Sequence, residues 1–436
     1  MKKAGIVLVV SSLTVAIYLL YAYLQPTYSY HLLDARYDAL KYAEAYNFFK
    51  GLVPDYSLSF PFNARILMPW LAAQLPFNDL KTDFIWLNGL FVVLTVGFLT
   101  FIWQNLQIRL PVILIGLFWV LFHWKGLVRM YLPDPVSADV GEYFWLTVFL
   151  ALHFISKKKG SKWSGFLQAF CLILTAVLGT LQKESFIAVI GVTVLWGGLS
   201  VWLVETPTTA SGTPTGAGLK TTAFRMTKGK LLILLSAFLM AVSAYYLVLY
   251  FFPASISDWR NNSLISLFRG VKRYILQPEL FLRIPVSWLL AYGTFWLVLL
   301  STPKPSPLTS HSSLLTLHFL LWLFLSVFGG GDTTRILFNG MPFIMTFLLF
   351  QLNQKPRWVA VYVLLTSLPF MRLLELEPDL GLYPPATQRW CVECWTLPES
   401  WGYWVYAIVV LAGYYYLLRC FGAVGGNETN HIHTNR

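Results

Sequence analysis

The sequence predicts an all-α polytopic membrane protein of about twelve transmembrane helices, with a long first outer loop containing juxtamembrane helices. Two observations carry that prediction. Of 436 residues, 57% are hydrophobic and only 12% charged, whereas a soluble domain has about 25% charged residues. The chain therefore lacks the polar groups to cover a water-exposed surface. Apolar runs of roughly 20 residues, enough to cross a hydrocarbon core, recur from end to end. A β-barrel would show short alternating segments instead, and the sequence has none.

The first run, Lys2-Lys3 followed by AGIVLVVSSLTVAIYLLYAYL, is too long for a signal-peptide core. No small-x-small cleavage site follows it, so it reads as a retained helix. Spans are expected near 5–24, 84–104, 110–124, 141–156, 164–181, 186–203, 231–252, 285–301, 313–329, 336–353, 358–372 and 403–419. RILMPWLAAQLP at 65–76 is too short to span and reads as an interfacial or re-entrant helix. The whole chain, 1–436, reads as one integral membrane domain. It has a flexible inner linker at about 205–229 (ETPTTASGTPTGAGL at its start) and a disordered tail from about 422. The halves share no visible repeat, which gives an inverted-repeat transporter no support.

The net charge of +12 would suggest nucleic acid in a soluble protein; here it sorts by side of the membrane, and no nucleic-acid partner is expected. Lysine-dense short segments (Lys2-Lys3, KKKGSK at 157–162, and Lys220 to Lys230) fall on one side, which marks that side and both termini as cytoplasmic. Of 20 acids only Glu205 and Glu428 lie there, leaving 18 outside. The chemistry is expected on the outer face. Cys391 and Cys394 form a CxxC in the last outer loop, either a disulfide or two thiols. One pair cannot build a four-ligand zinc site.

Five short outer motifs carry the polar groups. In LDARYDALKYAEAYNFF, Asp34 suits a helix N-cap, and Asp34, Asp38 and Tyr42 share one helical face at i, i+4, i+8. Arg65 opens the short apolar helix, where its guanidinium suits a phosphate or carboxylate, or snorkels to headgroups. Asp134 lies between prolines as a turn residue. Asp139 and Glu142 begin the fourth span, where acids favour a helix N-terminus. Lys183 and Glu184 are adjacent in a minimal turn, costly at that depth unless paired or wetted. In FGGGDTTRILFNG, Gly329 to Gly331 expose backbone amides, Asp332 caps the next helix and Arg335 follows. The segment 253–284 reads as an amphipathic interfacial helix drawn to anionic lipids.

Together LDARYDALKY, PFNARILMPWLA, DPVSAD, QKES and GDTTR resemble the GT-C class of integral membrane glycosyltransferases, which use polyprenyl-phosphate-linked sugars. The resemblance implies an inverting transfer of a hexose or pentose to an acceptor on the outer (periplasmic, extracellular or lumenal) face of a membrane, here the bacterial inner or plasma membrane. An acid of the first outer loop would be the general base; both Asp38 with Tyr42 and Asp34 with Tyr37 fit. Asp139 would orient acceptor or sugar, and Lys183, Arg335 and Arg65 would hold the donor phosphate. Tyr42, Glu142, Glu184 and Asp332 would support them. The chain has no Asp-x-Asp motif, so no metal ligand is assigned and a divalent cation stays open as cofactor. Expected partners are the lipid-linked sugar and membrane lipids; the sequence sets no oligomeric state. A transporter or flippase would instead place ionisable groups at mid-membrane with access from both faces. A lipid-linked oligosaccharide polymerase or ligase shares the outer-face chemistry, and a non-catalytic scaffold would tolerate loss of the acids.

Overall fold

The computed structural model describes residues 3–33, 37–154, 162–205, 227–255, 268, 271–272, 275–300, 310–328, 333–373 and 397–428. Among these the protein is helical without strands. In chain order the helices are α1 (Lys3–Leu24), α2 (Asp38–Phe49), α3 (Leu67–Ala73), α4 (Leu80–Asn105), α5 (Leu110–Phe122), α6 (Asp139–Phe154) and α7 (Lys162–Gln182). They continue as α8 (Ser185–Glu205), α9 (Lys228–Phe251), α10 (Arg283–Tyr292), α11 (Ser310–Phe328), α12 (Thr333–Asn339), α13 (Met341–Asn353), α14 (Arg357–Met371) and α15 (Leu397–Glu428).

Six segments among the described residues are long and apolar enough to cross a membrane: 3–24, 80–105, 165–182, 228–251, 280–299 and 400–421. The α12–α13 pair makes a seventh if its 74° bend is counted as one broken span. Among the other expected spans, the apolar helical stretches are 110–122, 185–201, 313–328 and 357–371; α5, with 13 residues, rises about 20 Å against a core of about 30 Å. The described residues thus form a multi-pass helical bundle with six or seven segments of spanning length, among the twelve spans expected. The sequence reading expects no break in 336–353; one falls at Gly340, where a Cβ would press into the Trp322 ring. Only glycine permits that approach, and Pro342 then starts α13.

One contiguous core runs from Val10 to Tyr414. α4 packs on α1 and α6, α7 packs on α6, α8 and α9, and α13 packs on α5, α6 and α11. The outer faces of α1 and α15 keep apolar side chains exposed, such as Leu8 at 69% and Val409 at 63%, as lipid-facing helices do. Several polar groups inside the bundle find partners: Thr14, Thr100 and Thr193 hydroxyls donate to the carbonyl four residues back, and Trp103 Nε1 donates to Thr346 Oγ1 across α4 and α13 at 2.9 Å.

The first loop is braced against the bundle end. Ala39, Tyr42, Ala45 and Tyr46 form the buried stripe of α2, spaced i, i+3, i+6, i+7 along one face of an amphipathic helix. Tyr46 OH donates to Asp83 at 2.7 Å and Lys50 Nζ to the Leu75 carbonyl at 2.7 Å. α2 begins at Asp38 with Tyr37 as its N-cap residue; Asp34, expected as a cap, lies outside the described residues. Arg65 precedes α3 instead of opening it, because a 3-10 turn at Phe62–Ala64 comes first. Most of the linker expected at 205–229, Asp332, the CxxC pair and half of 253–284 also lie outside the described residues. α15 extends to Glu428, into the start of the expected tail.

Candidate functional site

Asp38 stands in the first turn of α2, where the helix dipole favours a carboxylate. Its side chain is 46% exposed and its Oδ2 lies 3.5 Å from Arg335 Nη1. One turn on, Tyr42 is buried; its hydroxyl accepts from Arg65 Nη1 at 3.2 Å, and its ring meets Phe62 edge-on at 5.4 Å.

Behind Asp38 lies a buried ionic core. Asp139 opens α6; its Oδ1 accepts from Lys183 Nζ at 2.8 Å, and its Oδ2 from Arg335 Nε at 2.6 Å and Tyr131 OH at 3.2 Å. Lys183 Nζ also donates to Glu142 Oε2 at 2.8 Å. The other Glu142 oxygen accepts from Ser185 Oγ. Close packing of α6 on α7 sets this distance: a Cβ on Gly141 would lie 2.5 Å from the Gln182 side chain, and Gln182 Nε2 donates to the Ala138 carbonyl. The chain turns at 183–184 and α8 starts at Ser185. Glu184 then faces Arg65, which donates to it through Nε at 2.9 Å and Nη2 at 2.5 Å, the bidentate fork of a guanidinium on a carboxylate.

Eight of the ten expected site residues therefore meet at one end of the bundle: Asp38, Tyr42, Arg65, Asp139, Glu142, Lys183, Glu184 and Arg335. The remaining two, Asp34 and Asp332, lie outside the described residues. Exposure grades across the group. Asp139 and Glu142 side chains are 1% and 2% exposed, Lys183 is 13% and Arg335 25%. Asp38 is the wettest, and so the carboxylate best placed to meet an incoming hydroxyl.

Charge state follows from these contacts. Burial alone would raise the Asp139 carboxyl, but Arg335 and then Lys183 outweigh it and hold the group well below the usual carboxylate range. Burial would lower Lys183, yet Asp139 and Glu142 keep its ammonium proton tighter than usual. Burial likewise opposes ionised Glu184, and Arg65 overcomes it. Burial pushes the Tyr42 phenol up, so it stays protonated. Asp139 is thus a poor proton acceptor; what it does is hold Lys183 and Arg335 in place.

The sequence reading missed several groups. Tyr131 OH sits 3.1 Å from Tyr143 OH, which donates to Asn339 Oδ1 at 3.1 Å, extending the core to α12. Tyr143 lies one turn after Asp139, a spacing that marks it as a neighbour. Asp134 is more than a turn residue. It accepts from Tyr30 OH at 2.8 Å and Tyr37 OH at 3.2 Å, and burial pushes its carboxyl up to about 6 despite those bonds and Arg335. Tyr37 precedes α2, so Asp134 anchors the residue next to Asp38. Among the described residues no three His, Cys, Asp or Glu side chains are grouped to hold a metal ion. No family model, curated protein or solved structure matches this chain.

Proposed function

We propose that the chain is a membrane-embedded glycosyltransferase of the GT-C kind. It moves a sugar from a polyprenyl-phosphate carrier to an acceptor hydroxyl on the outer face of the bacterial inner or plasma membrane. The observation that carries the reading is the pairing of a half-exposed carboxylate, Asp38, with the guanidinium of Arg335, itself fixed by a buried acid. A base and a cation side by side is what displacement of a sugar from phosphate requires.

In this reading Asp38 takes the proton of the acceptor hydroxyl as its oxygen bonds to the anomeric carbon. The bond from that carbon to the phosphate oxygen breaks with its electron pair, and polyprenyl phosphate leaves. Arg335, the most exposed of the three cations, meets the departing charge first, with Lys183 and Arg65 adding positive potential behind it. Attack from the face opposite the leaving phosphate inverts the anomeric centre.

The test is genetic and chemical. Cells lacking the protein are expected to accumulate a polyprenyl-phosphate-linked sugar, with wild type but not Asp38→Asn clearing it. An unchanged lipid-linked pool in the absence of the protein would refute the proposal.

A further inference from the structure

The helix that carries Arg335 cannot hold a direction by itself. α12 has seven residues and ends at the 74° bend before α13. A helix this short closes few of its own hydrogen bonds and is marginal without packing. Contacts from other helices therefore decide which way the Arg335 side chain faces.

Two bonds one turn apart join α12 to α6. Asp139 Oδ2 accepts from Arg335 Nε at 2.6 Å, and Tyr143 OH donates to Asn339 Oδ1 at 3.1 Å. Residues 139 and 143 lie one turn apart on α6, as 335 and 339 do on α12, so each pair shares one helix face. Tyr131 OH links the two bonds on the α6 side, 3.2 Å from Asp139 Oδ2 and 3.1 Å from Tyr143 OH. A single bond would let a short helix swivel about it; a second bond one turn on stops that rotation.

α10 holds another face of the same helix. Tyr292 OH donates to the Leu337 carbonyl at 3.2 Å and Thr334 Oγ1 to the Ser287 carbonyl at 3.4 Å. Phe338 stacks on the His123 ring at 5.1 Å and on the Tyr292 ring at 5.6 Å. These contacts secure the side of α12 formed by residues 334, 337 and 338, while the 335–339 side is secured from α6. Packing does not require polar atoms there. Phenylalanine would fill the space of Tyr143 and leucine that of Asn339, and both residues are buried. A hydroxyl bonded to an amide adds direction, which an apolar contact lacks.

We propose that Tyr143, acting through Asn339, is a positioning residue that sets the rotation of α12 and so aims the Arg335 guanidinium at Asp38, where Nη1 stands 3.5 Å from Oδ2. Tyr143 itself touches no substrate. A misplacement of about 1 Å can cost a reaction about 100-fold in rate, so the turn between Asn339 and Arg335 carries kinetic weight. That weight rests on the sugar-transfer reading; the positioning rests on the contacts alone.

The experiment compares Tyr143→Phe and Asn339→Leu with wild type, as purified full-length protein in detergent. Its first readout needs no substrate: the rate at which phenylglyoxal modifies Arg335, followed by mass spectrometry. Arg65, paired separately with Glu184, is the internal reference. Each variant is expected to speed modification of Arg335 about fivefold, the population shift that one net hydrogen bond is worth, and to leave Arg65 at its wild-type rate. The second readout is single-turnover transfer from a polyprenyl-phosphate-linked sugar. Tyr143→Phe should slow it about tenfold, and should add nothing to the loss caused by Arg335→Ala. Should Asn339→Leu fail to fold, Tyr143→Phe, which keeps the ring, decides. A wild type that transfers no sugar would sink the transferase reading and leave the positioning to the modification rates. The proposal is overturned if Tyr143→Phe leaves Arg335 as protected as in wild type, or if Arg65 reacts faster along with it, which would mean general loosening. Arg335 released without any slowing, in a protein that does transfer sugar, would overturn it equally.

Discussion

Replacing Lys183 with Met probes the ionic core most sharply. The side chain is 13% exposed and bridges two carboxylates that are 1% and 2% exposed, each at 2.8 Å. Methionine keeps the length and fills the space, so the change removes the charge with little loss of packing. Asp139 would retain Arg335 and Tyr131 as donors, whereas Glu142 would retain only Ser185 among its bonded partners. Removing one partner of a buried pair costs about 3–5 kcal/mol, because an uncompensated charge stays behind. The residual bonds of Asp139 place the expected loss toward the lower end. Adding Glu142→Gln removes the stranded charge and keeps an acceptor for Ser185, so the double variant should recover about 2 kcal/mol. The assay is reversible unfolding in mixed detergent micelles for the two single variants, the double and the wild type. A loss below about 1 kcal/mol, the worth of an exposed pair, would refute the account of a buried core. Strict additivity of the two substitutions would refute it equally.

Further outcomes follow from the same contacts. Asp134 has its carboxyl raised from the ordinary 3.8 to about 6, so its contribution to stability is full below pH 4 and lost as pH rises through 6. Asp134→Asn should therefore gain up to about 3 kcal/mol over wild type at pH 8 and little at pH 4; equal differences in melting temperature at the two pH values would contradict this. Arg65→Lys keeps the charge but loses the two-pronged bond to Glu184, with an expected cost of about 1–2 kcal/mol in the same unfolding assay. Arg335→Ala should raise the KM for the lipid-linked donor or slow its transfer, and unchanged kinetics would reduce Arg335 to an anchor. Reporter fusions should place residue 45 outside and residue 215 in the cytoplasm; the inverse would discard the outer-face reading.

Charge in an apolar chain is loud, and that is why most of the ionic network could be read in advance. Lys183 and Glu184 between two apolar runs, and Asp139 with Glu142 at the head of another, stand out because isolated charges at that depth are costly. Their mutual partners were not legible, since pairing 139 with 183 and 335 depends on which helices touch. Neutral partners were quieter still. Tyr131, Tyr143 and Asn339 merge into the aromatic and amide background of a chain with 23 tyrosines, and Asp134 between two prolines looks like any turn. Six or seven of the twelve expected spans are long and apolar enough to cross a membrane among the described residues. Hydropathy records apolar length but not the break at Gly340.

The central claim is that Asp38 removes the acceptor proton in a sugar transfer from a polyprenyl phosphate. Single-turnover transfer by the purified protein, comparing wild type with Asp38→Asn and Asp34→Asn, tests it most directly. The account predicts a rate at least about 100-fold lower for Asp38→Asn and near wild type for Asp34→Asn. Undiminished transfer by Asp38→Asn would contradict it.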